Sequence, residues 1–234
     1  MRAWTCDGGS DPMVFWLKVA VWILGLGPVV WGIWAFFADG LGANPIEALL
    51  HVGGRWGLVF LLLGLGVTPV RRVTGWNQVI KVRRLLGLFT FFYASLHFLV
   101  YLLLDQGLAL SFILEDIVER PFITVGFLSL VLLAPLALTS TQGWIRRLGR
   151  RWQLLHRLVY PAGALAVLHF YWKVKADTFW PLVVAGVFTA LLLFRVPGWW
   201  TRLERKLGVG KGRSEKRDDP SQVVRTEGSL LGSR

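Results

Sequence analysis

Four histidines carry most of the chemistry open to this chain: His51, His97, His156 and His169. Cys6 is the only cysteine, which excludes an internal disulfide, a Cys-ligated iron–sulfur cluster and a multi-cysteine zinc site. No C-x-x-C-H stretch is present for covalent haem attachment, and Met1 and Met13 are the only methionines, which disfavours His/Met ligation of a buried haem. A metal held inside this protein must therefore rest on imidazoles.

His97 lies in Phe91-Phe92-Tyr93-Ala94-Ser95-Leu96-His97-Phe98, deep in an apolar run and about 20 Å beyond Arg84 at the helical rise. His169 follows Arg151 by 18 residues, so the same arithmetic places it at similar depth in a second run travelling in the same direction. Two opposed imidazoles at one level are what bis-histidine ligation of a b-type haem requires. The plainer alternative is two separate histidines, each hydrogen-bonded to a neighbouring helix. His156 sits five residues past Arg151, beside Arg157 and near the opposite surface, 13 residues from His169. That spacing, about 20 Å of helix, suits two cofactors stacked across a membrane. At 100° per residue, however, the two side chains fall off one face unless Pro161 re-phases the helix between them. No partner for His156 is evident, because Arg83 and Arg84 occupy its depth in the third run. His51, just after Asn44-Pro45-Ile46-Glu47, falls at the outer mouth of the second run, where a histidine is more often a plain polar residue than a ligand.

The elements that must position these residues are membrane helices. The 234-residue chain is 54% hydrophobic and only 17% charged, against about 25% charged in an average soluble domain, which excludes a soluble enzyme. Six stretches predict spans, roughly 17–37, 52–70, 84–104, 121–141, 153–172 and 178–195, for each of which about 20 apolar residues are needed. Lys18 opens the first and Pro28 lies inside it, so a kink is expected there, and a five-span count follows if this segment is only interfacial. Arg55 and Arg157 stand near the starts of the second and fifth, where a long side chain can snorkel to the interface. The expected fold is an all-α, six-helix transmembrane bundle.

Charge sets the orientation. Arg71, Arg72, Lys81, Arg83 and Arg84 crowd the second connection, and Arg146, Arg147, Arg150 and Arg151 the fourth. Asp39 and Glu47 mark the first, and Asp105, Glu115, Asp116 and Glu119 the third; Lys173 and Lys175 sit in the short fifth. The positive-inside rule then puts both termini in the cytoplasm. The net charge of +12 is thus topological, and nucleic-acid binding is excluded because the cations flank spans instead of sharing a face. Three regions are expected: residues 1–16 as a cytoplasmic N-terminus, 17–200 as the helical domain, and 201–234 as a basic, disordered tail able to touch anionic membrane lipid. The N-terminus shows no cleavable signal, since Asp7 and Asp11 precede an apolar run too long for one, and no repeat of fixed period or glycine-rich phosphate loop is apparent.

A set of short stretches extends the reading. They are Gly42-Ala43-Asn44-Pro45-Ile46-Glu47, Val67-Thr68-Pro69-Val70-Arg71-Arg72, Arg83-Arg84-Leu85-Leu86-Gly87-Leu88 and the His97 segment above. With them come Arg120-Pro121-Phe122-Ile123-Thr124-Val125-Gly126, Pro135-Leu136-Ala137-Leu138-Thr139-Ser140-Thr141, the run from Leu148 to Tyr160, and His169-Phe170-Tyr171-Trp172-Lys173-Val174-Lys175. As a set, over roughly residues 40–195, they resemble the MsrQ (YedZ) family of haem-binding membrane subunits of the bacterial periplasmic methionine sulfoxide reductase system. That family lies within the ferric-reductase-like transmembrane superfamily.

The resemblance implies a b-type cytochrome of the inner membrane. Relatives in the superfamily pair two histidines on the third helix with two on the fifth; His97, His156 and His169 match three of those places, and the fourth falls near Arg83. One haem b on His97 and His169 is implied, with a second possible at His156. The resemblance further implies flavin mononucleotide as a cofactor, the quinone pool or a cytoplasmic flavin reductase as electron donor, and the periplasmic molybdenum enzyme MsrP as acceptor. The chain lacks the roughly 200 further residues of a nicotinamide- or FAD-binding domain, so it is read as an electron-transfer subunit with no catalytic residue of its own. Two other readings stay open: a quinol-oxidising cytochrome b anchor for another periplasmic reductase, and a haem-free scaffold or transporter. The uncharged span centres lack the Asp and Glu that proton-relay transporters use.

Overall fold

The computed structural model describes residues 12–174 and 178–195. The 1–16 segment, the basic tail and Lys175 fall wholly or partly outside the described residues. The chain divides into two units, residues 1–191 and 192–234, and the helices discussed below belong to the first apart from the final turn of the last one.

Every regular element among the described residues is helical. Helix α1 (Pro12–Phe37) continues through Pro28. Helix α2 (Pro45–Thr74) follows a tight cap, in which the Asn44 side chain accepts from the Glu47 amide at 3.3 Å and donates to the Glu47 carboxylate at 3.1 Å. Pro45 at the first helical position loses no hydrogen bond there. Gly75, at a φ of 70°, ends α2 in the left-handed conformation that glycine adopts without strain. A 3-10 segment (Asn77–Val82) leads to α3 (Arg83–Val100), which runs on into a π turn (Tyr101–Asp105). Short α4 (Leu110–Glu119) precedes α5 (Pro121–Leu138), then come the small helices α6 (Gln142–Leu148) and α7 (Arg150–Leu155). A 3-10 turn (His156–Leu158) joins α7 to α8 (Val159–Lys173), and α9 spans Phe179–Leu193.

Among the described residues four helical stretches are long and apolar enough to cross a membrane: Pro12–Phe37, Pro45–Thr74, Asn77–Asp105 and Pro121–Leu138. The first of them, at 26 residues, is long enough to cross. The predicted fifth span is interrupted, because α7 and α8 are separated by the 3-10 turn at His156–Leu158. Pro161 does not cause that break: it lies in the first turn of α8, where its missing N–H costs little. The sixth prediction corresponds to α9, whose 15 residues rise about 22 Å, less than a bilayer core of about 30 Å.

Two hairpins make the bundle. In the first, α2 and α3 close on a stack of rings, with Phe60 centred 5.2 Å from Phe89 and 5.5 Å from Tyr93. Helix α1 joins through Gly25, whose carbonyl accepts from the Tyr93 hydroxyl at 2.7 Å and whose bare Cα admits the Phe89 ring. In the second hairpin α5 and α8 enclose Leu133, Leu136 and Ala162, and the buried Ser129 hydroxyl donates to the Ala162 carbonyl at 2.9 Å. Small residues let these helices approach closely where lipid supplies no hydrophobic push.

Candidate functional site

Each hairpin delivers one histidine to the same end of the bundle. His97 lies in the last turn of α3, with its Nδ1–H donating 2.9 Å to the Leu50 carbonyl in α2. His169 lies in the last turn and a half of α8, with its Nδ1–H donating 2.7 Å to the Phe122 carbonyl in α5. Both histidines are 47 residues beyond their acceptors, and a glycine follows each acceptor by four residues: Gly54 faces the His97 ring and Gly126 the His169 ring. A Cβ at Gly54 would stand 3.4 Å from His97 Nδ1, and one at Gly126 only 2.7 Å from His169 Nδ1. Gly53 serves the His97 backbone likewise, since a Cβ there would lie 3.3 Å from His97 Cβ. The sequence shows no obvious repeat, yet the two hairpins reproduce one acceptor–glycine–histidine arrangement at a constant offset.

The two imidazoles meet with ring centroids 6.1 Å apart and planes at 79°. Because each Nδ1 is committed to a carbonyl, Nε2 remains on each ring as the nitrogen available to a metal, the usual division of labour in a ligating histidine. Metal–imidazole bonds are about 2 Å long, so two rings on opposite sides of one ion have centroids about 6 Å apart. At 6.1 Å the two imidazoles are spaced as a pair that would hold one metal ion between them. Phe122, with its ring 6.2 Å from that of His169, and Phe98, stacked on Tyr101 and close to Phe127, make the flanks apolar.

The other two histidines lie elsewhere. His156 stacks on Trp152 at 3.8 Å and donates from Nδ1 to the Trp152 carbonyl at 3.1 Å, while the indole N–H of Trp152 donates to the Thr139 carbonyl at 3.0 Å. Arg83 is within electrostatic reach of His156, and the remaining histidines are engaged away from it. His51, largely exposed, pairs with Glu47 one turn away at 3.5 Å. Among the described residues no group of three or more His, Cys, Asp or Glu side chains could hold a metal ion by itself.

A polar cluster one turn beyond His97 escaped the sequence reading. The Asp116 carboxylate accepts from the Tyr101 hydroxyl and the Gln106 amide, both at 3.0 Å, and pairs with Arg120 at 3.1 Å. These bonds tie the π turn that ends α3 to α4 and to the start of α5, bracketing both histidine-bearing hairpins. The carbonyl acceptors Leu50 and Phe122 carry no side-chain signature; the matching Gly54-to-His97 and Gly126-to-His169 intervals were the visible trace of the arrangement.

The chain is similar in sequence to known proteins. Residues 53–167 match the family of ferric reductase like transmembrane components. A Bordetella parapertussis protein named protein-methionine-sulfoxide reductase heme-binding subunit MsrQ is 49% identical over 188 residues, which is 80% of this chain and 91% of the relative. Proteins of the same name from Xanthomonas euvesicatoria pv. vesicatoria and Ralstonia nicotianae are 50% and 47% identical, covering 77% and 86% of this chain and 82% and 94% of the relatives. No solved structure matches. With such identity over nearly the whole of these relatives, this chain belongs to the MsrQ family of ferric-reductase-like transmembrane proteins.

Proposed function

We propose that the chain is a b-type cytochrome of the bacterial inner membrane that carries electrons to a periplasmic methionine sulfoxide reductase of the MsrP kind, which repairs oxidised periplasmic proteins. The observation that carries this reading is the His97–His169 pair: two imidazoles from separate hairpins, 6.1 Å between centroids, each with Nδ1 held by a carbonyl. The relatives' name, a heme-binding subunit, agrees with it. A haem b bound there supplies one-electron redox chemistry, tuned by its axial ligands and a dry surround. His97 and His169 offer Nε2 to the iron, the Leu50 and Phe122 carbonyls fix tautomer and ring orientation, and Gly54 and Gly126 leave the rings room. His156, beside Arg83 at the opposite end, is the place for a second haem if one binds.

Electrons enter from the quinone pool or from a cytoplasmic flavin reductase, with flavin mononucleotide as a further cofactor. Six spans with both termini cytoplasmic fit the basic second and fourth connections and the acidic first and third. Helices α7 and α8 together cover 24 residues with their connecting turn, about 36 Å, enough to cross. The test is the haem content per polypeptide of the detergent-purified chain, with oxidised and reduced spectra. About one low-spin b-type haem is expected from the His97/His169 site alone; none, after expression with ample haem supply, would contradict the reading.

A further inference from the structure

The histidine pair has a described cation one helical turn away that no part of the haem reading uses. Lys173 ends α8, one turn beyond His169 on nearly the same face, and its charge reaches both the His97 and the His169 rings. Among the described residues Arg120 holds Asp116 at 3.1 Å and His51 faces Glu47 at 3.5 Å, while Arg55, exposed on α2 beside Gly54, is not among the charges that act on either ring. Lys173 makes no ion pair with any described residue, and its side chain is exposed.

A haem seated between two axial histidines carries two propionate carboxylates on one edge, and at a membrane-protein site these anions need either water or a cation. A free ammonium next to the axial pair, on the aqueous side of the helix that supplies one ligand, meets that need. Resting on the haem reading above, we infer that Lys173 is the counter-cation for the propionates of the haem held by His97 and His169, and so fixes which edge of the macrocycle faces outward. Its role is to position the cofactor through a charge-assisted hydrogen bond, the stronger kind when partly removed from water.

Resonance Raman spectra of the full-length, haem-loaded chain test this through the propionate bending bands, which respond to hydrogen bonding at the carboxylates. Lys173→Gln is expected to shift these bands while the low-spin signature of the axial pair persists, and Lys173→Arg to keep the native band position. Arg120→Gln, which removes an equal charge at the same end, is expected to leave the bands unshifted. In protein loaded with haem dimethyl ester, Lys173→Gln should produce no further spectral change. Unshifted bands in haem-bound Lys173→Gln, or an equal shift in Arg120→Gln, would overturn the assignment and leave the axial pair standing. Absence of haem from the wild-type chain would instead overturn the pair itself.

Discussion

At the scale of single residues, the site is built as much by what is missing as by what is present. Gly126 has no side chain because the His169 imidazole occupies the space: a Cβ would stand 2.7 Å from Nδ1 and 2.9 Å from Cε1. Gly126→Val should force the ring off the Phe122 carbonyl, cost about 1–3 kcal/mol as overpacking, and remove or alter the low-spin spectrum. Gly66→Ala makes a matched comparison, because nothing lies within 4 Å of a Cβ there, and its melting temperature and spectrum should stay native. Thermal denaturation followed in the haem band reads both variants. The histidines themselves were legible in the sequence, because polar side chains deep in apolar runs stand out. Their acceptors at Leu50 and Phe122 were not, since any residue offers a carbonyl and only the fold chooses which one is used.

At the scale of elements, the apolar runs announced α1, α2, α3 and α5, because length and continuous hydrophobicity are what a membrane demands, although α2 begins at Pro45 and ends at Thr74, beyond the apolar stretch on both sides. The break at His156–Leu158 was not legible: Pro161 drew attention, yet a proline in a first turn interrupts nothing, and the 3-10 turn precedes it. The π turn after His97 was equally hidden, as its anchor is the Tyr101–Asp116 hydrogen bond between residues 15 apart in sequence. Packing of the first hairpin rests on Phe60, which is fully buried between Phe89 and Tyr93. Phe60→Ala should therefore destabilise the protein by about 3–5 kcal/mol, seen as earlier thermal unfolding in detergent. Asn44→Ala, which removes the α2 cap, should cost about 1 kcal/mol in the same assay.

At the scale of the whole molecule, charge is sorted by end. Basic side chains flank the α2–α3 connection and the α6–α7 region, while Asp105, Glu115, Asp116 and Glu119 gather near the turn after α3, close in sequence to His97. The proposed topology thus places the pair on the periplasmic side, where a periplasmic acceptor can approach. In a Cys6→Ser background, Glu115→Cys should react with a membrane-impermeant thiol reagent in cells whose outer membrane alone is permeable. Arg147→Cys should react only after the inner membrane is opened. Both side chains are exposed, so accessibility within the fold does not limit either reaction. The reverse labelling pattern would invert the orientation and move the histidine pair to the cytoplasmic side.

In the proposed function His97 and His169 jointly hold one haem iron. The most direct test of that assignment is low-temperature electron paramagnetic resonance, with optical spectra, on the purified chain and on His97→Ala, His169→Ala and Arg83→Ala. The geometry predicts a low-spin bis-histidine signal in the wild type and in Arg83→Ala, and its loss in each histidine variant alone. Retention of the full low-spin signal in either histidine variant would contradict the account.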